Sequence, residues 1–190
     1  MSPSNPTIVL SQEPIEGATS QTFKDAMVVR KAVFVEEQGV PVENELDDND
    51  KRSYHMVAYD SDAHASVNVP IGTIRIIPGP HKSHPGEPVP IGQEHANYLK
   101  LGRWATSKAY RGHGVGRKLI DAAVEWAARK EFTGDDGSEW NRMCLVHAQT
   151  SVVGLWEKAG FVVDESMGEW DEEGIMHRGL WKRIPKGVGC

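Results

Sequence analysis

The sequence predicts a mixed α/β domain built on one sheet with helices on its faces. Three observations carry this. Short β-rich runs alternate with two amphipathic stretches, Gly- and Pro-rich segments separate them, and no repeat or heptad pattern appears. The 190 residues, 39% hydrophobic and 25% charged, fit a single domain (1–190) with a sizeable core and show no internal boundary.

Thr7–Gln12 reads as a first strand. Ser20 can cap a helix running to about Glu36, with Phe23, Met27, Arg30 and Phe34 on one side. Tyr54–Tyr59 and Ile71–Ile77 are the second and third strands, and Tyr98–Thr106 the fourth. Residues 60–70 and 78–96, rich in Pro, Gly, His and Ser, read as exposed excursions. A long helix follows over 114–130, with Val115, Leu119, Ala122, Ala123 and Trp126 at helical spacing and Lys118, Asp121, Glu125 and Arg129 opposite. Residues 133–141 form a loop and Arg142–Ala148 a fifth strand. Thr150 or Ser151 caps a short helix ending at Gly160, and Phe161–Glu165 and Met176–Lys182 close the sheet.

The bulk numbers exclude several classes. A net charge of −6 argues against a general nucleic-acid binder and leaves room for a cationic substrate. No apolar run reaches the length of a membrane span, and the start lacks the basic-then-apolar pattern of a secretion signal. The two cysteines, Cys144 inside an apolar run and the last residue Cys190, do not suggest a disulfide framework, so a reducing, cytoplasmic setting is expected.

The strongest local signal is Arg111-Gly112-His113-Gly114-Val115-Gly116, which follows a strand and opens an amphipathic helix. Backbone N–H groups at a helix start point outward without intrahelical partners and carry partial positive charge. Glycines let such a turn approach phosphate oxygens closely. A P-loop is excluded, because Gly116-Arg117-Lys118 lacks the required Gly-Lys-Ser/Thr. A dinucleotide fold would place its glycines after a first strand, whereas here they follow the fourth.

Two stretches, LGRWATSKAYRGHGVGRKLI and HAQTSVVGLWEKAGF, resemble the GCN5-related N-acetyltransferase (GNAT) superfamily. Arg30, VFVEEQGVP (33–41), Asp47, Asp50, His55, Ala148-Gln149 and EEGIMH (172–177) resemble its ElaA-like and YjcF-like group. The resemblance implies a mostly antiparallel sheet whose fourth and fifth strands splay apart, freeing backbone groups for a cofactor. It implies acetyl-CoA as cosubstrate. The amides of Arg111, Gly112, His113, Gly114, Val115, Gly116 and Arg117 would hold the pyrophosphate, and the backbone of Trp104, Ala105 and Thr106 would meet the pantetheine and thioester. Gln149 stands where many members have a pantetheine-binding Asn. Trp156 stands in the cofactor-facing place where many have a Tyr proposed to protonate the thiolate. Indole N–H is no practical acid, so a tyrosine acid here is excluded, and water, the departing ammonium or another group must serve.

The chemistry requires a proton acceptor, since an amine of reference pKa about 10 is protonated at neutral pH. Candidates are Glu36, Glu37, Asp47, Asp50, His55 and His177, with Glu37 placed first and His177 second. Arg75 and Arg103, in IGTIRII and KLGRWAT, either bind a substrate carboxylate or pair with the acidic segment 36–50, and Glu36 would border the acceptor. That segment holds seven carboxylates and no Lys or Arg. It reads either as a rim that draws in a cationic amine, or as a solvated loop and partner for Arg30 and Arg103. Cys144 reads as a buried hydrophobe, not a nucleophile. The His-rich segment 81–95 matches no zinc spacing. The expected activity is acetyl transfer to a primary amine of a small molecule, without nucleic-acid or membrane partners. A homodimer is allowed. An acyl-CoA binder without turnover and an acetyltransferase of protein termini or lysines stand as alternatives.

Overall fold

The structure, a computed structural model, describes residues 6–61, 68–81, 88, 97–134 and 137–187. The chain divides into one unit of Met1–Ile76 with Arg103–Trp126, and a second of Ile77–Gly102 with Ala127–Cys190. It is a mixed α/β fold with a mostly antiparallel sheet.

In the first unit, strands β1 (Ile8–Leu10), β3 (Tyr54–Asp60), β4 (Val69–Ile77) and β5 (Leu99–Thr106) lie in that order, and β2 (Ile15–Glu16) pairs with β3. The expected first strand, Thr7–Gln12, is only Ile8–Leu10, and β2 was not expected. The third strand begins earlier than expected, at Val69, and residues 62–67 of the first excursion lie outside the described residues. Ser20 caps helix α1 (Gln21–Arg30) as expected, its Oγ accepting the Phe23 N–H at 3.0 Å. The helix does not continue as an α-helix to Glu36. Lys31–Glu37 winds into a π-helix, with Gln38 N–H bonded to the Val33 carbonyl at 3.1 Å. The core-facing stripe runs through Phe23, Ala26, Val29, Arg30 and Val33, leaving Met27 and Phe34 half-buried, contrary to expectation. Helix α2 (Val42–Glu45) follows.

Helix α3 (Val115–Ala128) buries Val115, Leu119, Ala123 and Trp126. A side chain at Gly72 on β4 would come within 2.7 Å of Val115 and 3.0 Å of Leu119. The bare glycine is what lets α3 lie this close to the strand.

In the second unit, β5 pairs in parallel with β6 (Met143–Gln149) over Leu99–Leu101. Beyond β6 come β9 (Ile175–Arg183) and β7 (Val162–Val163), with β8 (Glu169–Glu172) on β9, all antiparallel. Arg142 is not strand but a left-handed turn residue (φ 66°), its guanidinium donating to the Ala128, Lys130 and Ile184 carbonyls. Neither Thr150 nor Ser151 caps a helix. A 3₁₀ turn, Thr150–Val152, leads into α4 (Val153–Lys158). Gly160, at φ 84°, ends α4, and the Phe161 N–H closes back on the Trp156 carbonyl at 3.1 Å. The expected strand over 161–165 is only Val162–Val163. Strand β8 was not expected. Its turn to β9 places Glu173 and Gly174 at φ 55° and 79°, the conformation of a two-residue hairpin.

Candidate active site

The turn after β5 has the geometry its glycines suggest. Gly112 and Gly114 sit at φ 83° and 79°, and a Cβ built at either would meet nothing within 4 Å. The first α-helical bond of α3 runs from Lys118 N–H to the Gly114 carbonyl at 3.1 Å. The N–H groups of Val115 and Gly116 precede it, in the first turn, where a helix presents its amides to an anion. His113 is half-buried in this turn, and Arg117 pairs along the helix with Asp121 at 2.8 Å.

Gly116 has a different reason for being glycine than phosphate approach. A Cβ there would lie 2.5 Å from Cζ2 of Trp104, whose Nε1–H donates to the Gly116 carbonyl at 3.0 Å. The indole thus lies across the start of α3. Within Trp104–Thr106, Ala105 is buried against Val29 and Val33. Arg103 just before them adopts φ 48°, a costly conformation for a residue with a Cβ.

Arg111 is fully engaged. Its Nη1 and Nη2 donate to Glu37 Oε1 and Oε2 at 2.6 and 2.7 Å, and its Nε to the Thr106 carbonyl at 3.1 Å. Arg111 holds the Glu37 carboxyl below its ordinary range, which makes it a poorer proton acceptor. Glu36 is exposed.

Arg75 and Arg103 pair with the acidic segment. Arg75 donates to Asp47 at 2.8 and 2.9 Å and to Asp50 at 2.8 Å. Arg103 approaches Glu45 Oε2 at 3.2 Å and Asp47 at 3.4 Å, and donates to the Asn44 and Glu45 carbonyls. Arg30 binds Glu45 at 2.5 Å and Asp50 at 2.8 Å. Burial alone would raise the Asp47 and Asp50 carboxyls, but the arginines hold both below the ordinary range. His55 is buried, lowered by that burial, and its Nε2 donates to the Asp50 carbonyl at 3.1 Å.

In the second unit, Gln149 ends β6 directly opposite His177 on β9. Trp156 is fully buried and packs edge-to-face on Phe161. Cys144 is buried in mid-strand, and burial pushes its thiol well above the ordinary range. Of the His-rich segment, His81 faces the Tyr98 carbonyl at 2.8 Å, and 82–87 and 89–95 lie outside the described residues. His147 and Glu172, which open the stretches HAQTSVVGLWEKAGF and EEGIMH without a role of their own there, lie 3.5 Å apart, and Glu172 lies 3.8 Å from His177; their signal is strand parity, two positions from Gln149 and from Trp170.

Residues 23–161 match the model of the Acetyltransferase (GNAT) family. The chain is 32% identical to the uncharacterized N-acetyltransferase YjcF of Bacillus subtilis over 162 residues, covering 85% of this chain and 93% of that one. Its fold is similar to that of Escherichia coli ElaA (TM-score 0.63, 21% identity, 93% and 99% of the two chains). It is likewise similar to an acyl-CoA N-acyltransferase from Pseudomonas aeruginosa (TM-score 0.62, 21% identity, 94% and 99%). The chain belongs to the GNAT family and is an acyl-CoA-dependent N-acyltransferase with ElaA- and YjcF-like relatives. No helix among the described residues is long and apolar enough to cross a membrane.

Proposed function

We propose that the protein transfers an acetyl group from acetyl-CoA to a primary amine of a small molecule, by direct attack of the amine on the thioester. The observation that carries this is the turn 111–116, whose two open, left-handed glycines lead into the first turn of α3, ahead of its first i→i−4 bond at Lys118. We assign Arg111–Arg117 to the pyrophosphate and the backbone of Trp104–Thr106 to the pantetheine and thioester. Gln149 is assigned to the pantetheine on the strength of the resemblance. Trp156, being buried, serves by shaping the wall beneath the cofactor.

Glu37 and His177 are the proton-acceptor candidates. The pairing of Glu37 with Arg111 favours an anchoring role for it, so we place proton removal on His177. Arg75 and Arg103 hold the acidic segment, and Glu36 borders the acceptor. We take 1–190 as one acetyltransferase domain acting in the cytoplasm, supported by a family match that draws on both units and by the buried, unpaired Cys144.

The test has two arms. Calorimetry measures acetyl-CoA affinity, and free-thiol release is followed with a panel of amines, amino acids, amino sugars and polyamines. Thiol release dependent on a small amine is the expected result. Binding with no release on any amine would leave an acyl-CoA-binding protein, and release only with peptides would move the acceptor to protein termini or lysines.

A further inference from the structure

Glu37 is a carboxylate held at the edge of a turn built for anions. The segment Lys31–Glu37 is 7 residues long, about two turns of an α-helix. Wound as one, it would bring Glu37 back to the face of Arg30, whose partners are the buried Glu45 and Asp50. The bond from Gln38 N–H to the Val33 carbonyl at 3.1 Å is i→i−5 and takes one residue more into the last turn. Glu37 meets Arg111 instead, the first residue of the turn 111–116.

Arg111 ties this turn down from outside. Its Nη1 and Nη2 donate to Glu37 Oε1 and Oε2 at 2.6 and 2.7 Å, and its Nε donates to the Thr106 carbonyl at 3.1 Å. One side chain thus joins the end of β5, the end of the π-helix and the start of the turn. The loop before it is held by its own bonds. Ser107 N–H reaches the Ile71 carbonyl at 2.9 Å, Tyr110 N–H the Ser107 carbonyl at 2.9 Å, and Arg111 N–H the Lys108 carbonyl at 3.4 Å. The glycines beyond have no such support. Gly112 and Gly114 bring no side chain to pack, a Cβ at either would meet nothing within 4 Å, and glycine has the most backbone freedom to lose.

The pair also removes a conflict of charge. The hydrogen bonds from Arg111, with the charges of Arg111 and Lys108, hold the Glu37 carboxyl below its ordinary range against desolvation. Glu37 is therefore an anion at neutral pH. A bare carboxylate beside a phosphate site repels its ligand, whereas a carboxylate closed in both oxygens by one guanidinium is a neutral unit.

We propose that Glu37 is a positioning residue of the acyl-CoA site: by gripping Arg111 it holds the turn 111–116 in its phosphate-binding shape before the cofactor arrives. The inference rests on the assignment of Arg111–Arg117 to the CoA pyrophosphate. A turn ordered beforehand spares the binding step the entropy loss of fixing its two glycines. Glu37 acts through Arg111, touches no reacting atom and moves no proton. The π-helical winding is what delivers it to that place.

The experiment is a double-variant cycle. It is read by calorimetry with acetyl-CoA at low and high salt, and by hydrogen exchange of the turn's amides in the ligand-free protein. Solvent reaches both groups, with side-chain exposures of 43% and 33%, so the pair is worth about fivefold, or about 1 kcal/mol. In Glu37→Gln, Kd rises about fivefold even though a negative charge has left an anion site, and the Gly112–Gly116 amides exchange about fivefold faster. In Arg111→Gln, Kd rises about 30-fold or more, because Glu37 is left as an unanswered anion, and added salt narrows the gap to wild type. Adding Glu37→Gln to Arg111→Gln then lowers Kd. One substitution thus weakens binding in the presence of Arg111 and strengthens it in its absence, a reversal that a general loss of stability does not produce. Glu43→Gln, exposed in the same acidic segment, changes neither readout. Unchanged or tighter binding in Glu37→Gln overturns the proposal, as does a double variant weaker than Arg111→Gln. If Arg111→Gln does not fold, Arg111→Lys, which keeps the charge and loses the fork, takes its place. Its Kd should match that of Glu37→Gln, and a further fivefold loss in the double variant overturns the proposal. A wild-type protein that binds no acetyl-CoA overturns the cofactor assignment instead, and amide exchange of the turn still judges the role of Glu37.

Discussion

Alanine at Gly116 tests whether the indole across the start of α3 is what requires glycine there. The added Cβ would sit 2.5 Å from Trp104 Cζ2, 3.1 Å from Cε2 and 3.3 Å from Nε1. Carbon atoms rest about 3.5–4.0 Å apart, so the ring must retreat by about 1 Å or more. It is anchored by its N–H bond to the carbonyl of that same residue. Overpacking of this kind costs about 1–3 kcal/mol, and a weakened hydrogen bond costs about 1 kcal/mol more. Against this, alanine is the better helix former by about 1 kcal/mol, and position 116 is ordinary helix. The balance is a loss of about 1–3 kcal/mol, or a Tm lower by roughly 2–4 °C for each of those at this chain length. The assay is thermal unfolding of Gly116→Ala, of Trp104→Leu and of the double variant, with acetyl-CoA calorimetry on each. Removing the ring should make alanine at 116 neutral or stabilising. Gly114→Ala is the contrast: its Cβ meets nothing, its left-handed φ costs about 1–2 kcal/mol, and Trp104→Leu should not relieve it. Wild-type stability in Gly116→Ala, or an equal cost with and without the ring, would refute the reasoning.

Arg30→Met removes the shared partner of two buried carboxylates, leaving Asp50 to Arg75 and Glu45 to Arg103, and should cost about 3–5 kcal/mol in urea unfolding. Asp47 and Asp50 are held below their unfolded values, so their contribution is present above about pH 4 and is lost as pH falls further. Tm should drop on acidification below pH 4, and less steeply in Arg75→Met. Glu37→Gln breaks an exposed pair and should change stability by less than about 1 kcal/mol, while the acid limb of kcat persists. Loss of that limb would put the base at Glu37. Trp156→Ala should cost about 3–5 kcal/mol by the same urea assay, since the ring is enclosed in the core.

What could be read from the sequence follows from how local each signal is. The Ser20 cap, the strand–turn–helix at 99–128 and the Gly160 stop are written in a few adjacent residues, and they stand where the pattern puts them. The π-helical winding of Lys31–Glu37 departs from the 3.6-residue spacing on which a face is read, so Phe34 is half-buried where that spacing puts it with Phe23 and Arg30. Strand β8 is four residues long and carries Trp170 between two acids, too little alternation to register. Gly72 and Gly116 look like any other glycines until the partner that needs their missing side chain is in place. The His147–Glu172–His177 set joins β6 to the β8–β9 hairpin, and only ladder register brings it together.

The acidic segment shows why composition alone could not decide its role. Of its seven carboxylates, Glu37 is taken by Arg111, and Glu45, Asp47 and Asp50 by Arg30, Arg75 and Arg103, while Asp48 faces Lys51 in solvent. Five cations therefore answer seven anions, and the remaining charges on Glu36 and Glu43 sit in water, where a unit pair at 4 Å is worth about 1 kcal/mol. Any long-range attraction of a cation by this segment is correspondingly weak. What the segment does instead is structural and lies close to the chemistry. Arg103 keeps a left-handed φ inside a strand, a strain of about 1–3 kcal/mol. Its guanidinium is held by the Asn44 and Glu45 carbonyls and by Asp47, each a charge-assisted bond stronger than a neutral one. Those bonds offset the strain only while residues 44–47 stay where Arg30 and Arg75 fix them. Through Arg103 the acids thus set the backbone that immediately precedes Trp104–Thr106, the stretch assigned to the thioester.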